Sequence, residues 1–293
     1  MSRNTSRMGL PEEEEVGTVS QAASPATVVQ AAHPDQGQFN WSVPTEFVTL
    51  PSEGLFYPPA HPLHNQPTIE IRYMTAKDED ILTSRSLLKA GLAVDRMLDN
   101  VIVDKRIRVE DLLIGDKTAL VVAARRTGYG DEYETNITCP VCTRVTEYSF
   151  DLTEPPATNF RTAMEEYNIE QTPQGTFMIS LPMTNAKIEC RFMTGNDERQ
   201  MFKDTERKLK KKIDTTPTTD LFRRYIVSIN GEDNPIAVQS FIQAMPARDA
   251  RALRRIYSEI VPRLEMTQHF VCDNCEYEAD MEVPLGSDFL WPE

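Results

Sequence analysis

Short runs of alternating polar and apolar residues are the first regularity along this chain, and they come in related pairs. Ile69-Glu70-Ile71-Arg72-Tyr73 alternates with a period of two, the pattern of a half-buried strand, and gives way to Met74-Thr75. Thr75 and Asp78 then stand at the spacing that satisfies free N–H groups at a helix start, so a helix is expected to follow at once. The same succession returns as Ile188-Glu189-Cys190-Arg191-Phe192-Met193-Thr194, with Asp197-Glu198 in place of Asp78-Glu79. Further on, Asp116-Lys117-Thr118-Ala119-Leu120 matches Asp249-Ala250-Arg251-Ala252-Leu253 at a wider spacing. The second copy therefore carries an insertion, expected between Lys208 and Thr219, where a basic run and Thr215-Thr216-Pro217-Thr218-Thr219 read as a helix end or loop.

Alternation also frames two hairpins. Tyr133, Thr135 and Ile137 lead into Cys139, and Tyr148, Phe150 and Leu152 follow Cys142; Met266, Gln268 and Phe270 precede Cys272, and Met281, Val283 and Leu285 follow Cys275. The fold class expected is α+β: an internally duplicated unit of strand, helices and β-hairpin in a pseudo-twofold arrangement. Residues 1–40 form a polar leader whose few large apolar groups cannot offset the entropy of ordering, and order is expected to begin near Trp41. The first repeat unit is placed at 41–155 and the second at 156–293.

The hairpin tips hold the candidate chemistry. Cys139-Pro140-Val141-Cys142 and Cys272-Asp273-Asn274-Cys275 each have the C-x-x-C spacing that turns two thiolates towards one metal, and two such turns complete a tetrahedron. A zinc-ribbon-like site shared by both copies is the expectation, with Cys139, Cys142, Cys272 and Cys275 as ligands and zinc as the ion. Four thiolates close the shell, which makes the site structural, leaves His269 outside it, and ties the two halves together. Two other readings stand beside this one: metal-free buried thiol pairs, and a redox C-x-x-C, which normally begins a helix. Cys190 takes the strand position of Ile71 and is expected to be a free, inert core thiol.

Charge narrows the function. The 293 residues carry a net charge of −14, which opposes general affinity for phosphate backbones, although Arg207-Lys208 and Lys210-Lys211-Lys212 form one dense basic run. That run is read as a solvated helix face, or else as a contact for an acidic partner or nucleic acid. No apolar stretch approaches the ~20 residues of a membrane helix, and the start lacks the apolar core of a secretory signal, so a cytosolic protein is expected. Neither a phosphate-binding loop, nor a G-x-S-x-G elbow, nor H-E-x-x-H occurs, and the four histidines are not grouped with a nucleophile. Asp78, Glu79 and Asp80 read as first-turn acids favoured by the helix dipole, and enzymatic activity is not expected.

A family resemblance rests on particular residues. Leu50-Pro51-Ser52-Glu53-Gly54-Leu55-Phe56-Tyr57-Pro58, then Ile71-Arg72-Tyr73-Met74-Thr75 with Asp78-Glu79, then Ala123-Ala124-Arg125 and Tyr129-Gly130 ahead of Cys139-Pro140-Val141-Cys142, resemble the T4-type phage baseplate proteins, which are contractile-tail hub and hub-assembly components. The likeness is fullest over Glu46 to Glu154. It implies a structural and assembly role with other phage tail and baseplate proteins as partners, exercised in the host cytoplasm and in the virion tail. The leader, and a second copy without the Leu-Pro-Ser-Glu-Gly opening, depart from that pattern. A zinc-ribbon nucleic-acid adaptor acting through Arg207 to Lys212 is the alternative reading, and a thiol-redox protein a third.

Overall fold

The computed structural model describes residues 43–211, 216–285 and 289–290. The leader 1–40, Trp41, Lys212 and the middle of the expected insertion lie outside the described residues.

Strand β1 (Thr45–Thr49) pairs antiparallel with β2 (Thr68–Arg72), Thr49 opposite Thr68. The loop between them begins with the Leu-Pro-Ser-Glu-Gly turn. Gly54 there has φ +73°, and a Cβ on it would stand 2.4 Å from the Gln66 carbonyl oxygen, so glycine alone fits. Helices α1 (Ala76–Leu82), α2 (Arg85–Ala90), α3 (Ala93–Val101) and α4 (Ile114–Tyr129) follow, then the hairpin of β3 (Glu132–Thr138) and β4 (Val145–Asp151). The second half runs α5 (Phe160–Glu166), β5 (Glu170–Gln171), β6 (Phe177–Ser180), β7 (Lys187–Cys190), α6 (Gly195–Lys210), α7 (Pro217–Tyr225), β8 (Ile226–Ile229), α8 (Pro235–Ala244) and α9 (Ala247–Ile260). It ends in a second hairpin, β9 (Thr267–Val271) with β10 (Glu278–Glu282). The result is the mixed α+β class the alternation implies, with small antiparallel sheets; β5 to β8 form the one four-stranded sheet among the described residues.

Equivalent residues meet equivalent partners at several points. Arg72 clasps Asp78 with both guanidinium nitrogens, at 2.7 and 2.9 Å, and Arg191 clasps Asp197 at 2.7 and 2.8 Å. Each aspartate also accepts the backbone N–H and hydroxyl of the threonine three residues before it, which starts α1 and α6 at the same corner. Asp116 accepts the Ser52 N–H, the Ser52 hydroxyl and the Tyr57 hydroxyl; Asp249 accepts the Met183 and Thr184 N–H groups and the Thr184 hydroxyl. Leu181-Pro182-Met183-Thr184 thus docks on α9 as Leu50-Pro51-Ser52 docks on α4. The second half does have an opening turn, in a shorter form without glycine; its left-handed position is Asn185, at φ +53°.

The apolar core is continuous across both halves. Phe56, from the first opening loop, lies edge-on to Phe160, Phe177 and Phe192 of the second half, with centroids 5.5, 6.4 and 4.6 Å away. The starts of α4 and α6 run side by side: Ile114 N–H donates to the Met193 carbonyl at 3.1 Å and Gly195 N–H to that of Leu112 at 2.9 Å. Gly115 sits at this crossing, where a Cβ would lie 1.9 Å from the Pro262 carbonyl oxygen. Lys117, just beyond, bridges Asp95 and Glu198 at 2.7 Å each.

The strand-to-helix corner gives a test of acid stability. Burial alone would raise the Asp78 pKa, but Arg72, Thr75 and Asn100 outweigh it and lower it to about 2. A depressed carboxylate stabilises the fold above its unfolded pKa of ~3.9 and loses that contribution as pH falls towards 2. Asp78→Asn is expected to cost on the order of 2 kcal/mol at pH 7, with a smaller difference from the parent chain below pH ~4, measured by urea unfolding across that range.

Candidate metal centre

Each C-x-x-C occupies the tip of a hairpin, between strands and not at a helix start. The two turns are closed identically. Cys139 N–H donates to the Arg144 carbonyl and Cys272 N–H to that of Tyr277, both at 2.9 Å; Thr143 and Glu276 N–H groups donate back to the Cys139 and Cys272 carbonyls, also at 2.9 Å. Thr143 and Glu276 both adopt φ +56°. Neither is a residue type that favours the left-handed region, so the cysteine turn imposes this backbone against local preference.

These turns bring all four sulfurs within 4.8 Å of one another. Cys139 faces Cys275 at 3.7 Å and Cys142 faces Cys272 at 3.7 Å, so the first cysteine of each turn meets the second of the other. Those residues are 136 and 130 positions apart in sequence. A tetrahedron with metal–sulfur bonds of ~2.3 Å has edges of ~3.8 Å, so the spacing suits one ion held by four thiolates. Cys139 and Cys272 are fully buried, Cys142 is half-buried and Cys275 is exposed, which leaves one side of the cluster open.

Electrostatics agree with the donor set. The Arg144 backbone N–H, then the Asn274 side chain and the neighbouring thiols, draw the Cys142 pKa down to about 6. Cys275 is pushed up to about 12: the Tyr277 N–H lowers it, and burial with the surrounding sulfurs overrides that. One thiolate forms readily in the cluster and resists the next. A bound dication removes this opposition, because coordinated thiols lose their protons outright.

Contacts beyond the sulfurs lock the hairpins to each other. Arg144 reaches across the tips to Asn274 at 2.9 Å, the Tyr148 hydroxyl donates to the His269 carbonyl at 2.6 Å, and Gln268 bonds the Asp151 backbone through both ends of its amide. Tyr148 lies edge-on to both Phe150 and Phe270, at 4.9 and 5.2 Å. The His269 ring faces Glu278 and Asp280, not the sulfurs. Cys190 is buried apart from the cluster, and burial raises its thiol far above the usual range. Of the basic run, Arg207, Lys208 and Lys210 pair with Asp204, Asp220 and Glu206. Tyr148 and Gln268 were legible only as members of the alternating strands beside the cysteines, and Arg144 was not singled out; nothing in the sequence marked them as contacts between the hairpins.

The family model for the T4 bacteriophage base plate protein matches residues 44–291, a span that includes both openings, both corners and all four cysteines. The chain belongs to that family. No curated protein matches the chain, and no solved structure does. As a T4 base plate protein it has a structural role in a phage baseplate, which implies the virion tail as its place and other phage structural proteins as its partners. No helix among the described residues is long and apolar enough to cross a membrane.

The hairpin interface has its own test. Tyr148→Phe removes one hydrogen bond across the interface and is expected to cost ~1 kcal/mol; Tyr148→Ala also empties the aromatic contact and is expected to cost ~3–5 kcal/mol. Denaturant unfolding of both variants checks the order.

Proposed function

We propose that this base plate protein is an assembly component of the baseplate hub that binds other tail proteins, performs no reaction of its own, and is clamped by one structural zinc on Cys139, Cys142, Cys272 and Cys275. The observation that carries the clamp is the set of four sulfurs from two distant hairpins at the edge lengths of a single tetrahedral site. Thiolate donors of this softness and spacing favour zinc among the common divalent ions. Residues 41–155 and 156–293 are read as two copies of one unit, supported by the paired corners, opening turns and cysteine turns. The hub-assembly role rests on family membership, together with the absence of a recognisable catalytic motif in the sequence. Work in the host cytoplasm before incorporation in the tail follows from that role. The nucleic-acid alternative is weakened by the acids that already engage the basic run.

Protein purified without chelator is expected to hold one zinc per chain by elemental analysis. Stripping the metal should lower the melting temperature by roughly 10 °C or more, and Cys139→Ser should match Cys272→Ser in both metal content and melting. An unchanged melting temperature after complete metal removal would sink the clamp. The assembly role is tested in the phage: particles made without the chain should lack a complete hub, and normal baseplates in its absence would refute it.

A further inference from the structure

Among the described residues the outer edge of β1 is open. Tyr73 N–H donates to the Pro44 carbonyl and Leu50 N–H to that of Pro67, which fixes Glu46 and Val48 as the residues bonded to β2 in this antiparallel ladder. The N–H and C=O groups of Thr45, Phe47 and Thr49 therefore point away from β2, and no strand among the described residues meets them. Phe47 is 70% exposed. An edge of this kind is a template for another extended chain unless something covers it.

Beside that edge lies a groove of about 610 Å³, lined by β1 and by no residue of β2. Its floor is the small-residue face of α4, Ala119, Val122 and Ala123, and its far wall is Pro155, Pro156 and Ala157. Two carboxylates flank it, Glu46 from the strand and Glu154 from the far wall, and neither has an ion-pair partner among the described residues. Arg126, the one cation of the groove, is engaged by Asp131 at 2.8 Å. The groove thus has backbone donors and acceptors on one side, small apolar side chains of α4 beneath, and a net acidic lining.

We propose that this groove docks an extended segment of a partner protein that adds as a strand to β1, seats apolar side chains over α4 and presents a lysine or arginine to Glu46 and Glu154. Main-chain hydrogen bonds would supply affinity, and the two carboxylates would select a basic segment over an acidic one. The proposal takes up the protein-binding reading above but stands on β1, α4 and the segment 154–157, none of which holds a cysteine, so its failure leaves the zinc clamp untouched.

The test uses the full chain and a fluorescein-labelled heptapeptide of alternating valine and threonine with lysine at its centre. A glutamate-centred counterpart and a version N-methylated on alternate amides serve as controls. Anisotropy titrations are expected to show saturable binding of the lysine peptide, at least about tenfold weaker binding of the glutamate peptide, and no binding of the methylated one. Amide exchange should slow at Thr45, Phe47 and Thr49 in the complex. Phe47→Pro removes an outward N–H without touching the β2 ladder and should abolish binding. The doubly neutral Glu46→Gln, Glu154→Gln variant should keep its fold, checked by melting, and lose most of the preference for lysine. No binding at millimolar peptide, equal binding of both peptides, protection elsewhere, or indifference to Phe47→Pro would each overturn the proposal. So would a concentration-dependent dimer of the free chain that Phe47→Pro abolishes, since that assigns the edge to a second copy.

Discussion

A carboxylate taken out of water must be met by donors, and this fold is arranged around four aspartates that are. Asp78, Asp116, Asp197 and Asp249 are each at most 5% exposed. Two of them hold the corner where a strand becomes a helix; the other two, near the starts of α4 and α9, hold the loop that opens each half. A strand hairpin, the helix that follows it and a later helix are fixed relative to one another in each half. Removing the donors from any one of these would leave a buried charge costing several kcal/mol, far more than a surface pair contributes. The geometry of the halves is therefore set by polar contacts of few permitted arrangements, and the apolar core fills the frame that they define.

How much of this could be read from the residues depends on the range over which each signal acts. Strand alternation, the Thr-x-x-Asp start and the C-x-x-C turns are local, and each marks an element that the structure contains. Asp78 and Asp197 were legible as first-turn acids, but not as buried acids, because their partners Arg72 and Arg191 lie in the preceding strand and meet them only once the corner is turned. The second opening turn was hidden for a different reason. Leu181-Pro182 survives, but methionine and threonine replace serine and glutamate, asparagine takes the left-handed position, and the excursion before the strand is shorter. Two of the three donors to Asp249 are backbone N–H groups, which leave no trace in residue identity, and the third is the Thr184 hydroxyl, where the first turn uses Ser52. Strand β8 was missed as well: Ile226–Ile229 follows α7 without any turn residue, and only pairing with β7 makes it a strand.

The likeness of the halves has limits that bear on what the cysteine site can do. At the hairpin tips the contacts are reciprocal, Cys139 with Cys275 as Cys272 with Cys142. Elsewhere they are not. Phe56 enters the second half from the first opening loop, whereas the contact in the other direction is Phe289 edge-on to Tyr133, and α4 of the first half meets α6 of the second, which do not match in the proposed duplication. The two halves already share a core without help from a metal.

The hairpins join that core through one face only, by Tyr133, Ile137, Phe150 and Phe270. A two-stranded sheet buries one face at most and is marginal alone in water, and the outward positions of β3, β4, β9 and β10 are all exposed. The contacts between them described above come from Tyr148, which meets both the His269 carbonyl and the Phe270 ring, from Gln268 and from Arg144. An ion on the four sulfurs would hold one hairpin tip against the other, at turns whose first cysteines, Cys139 and Cys272, are themselves buried. In that position a closed tetrahedral site contributes most, because it fixes two backbone turns that adopt left-handed conformations at Thr143 and Glu276 with no glycine to favour them. The hairpins should then respond to metal as one body, and the surface they present to a neighbour in the baseplate would depend on the clamp as well as on the core beneath them.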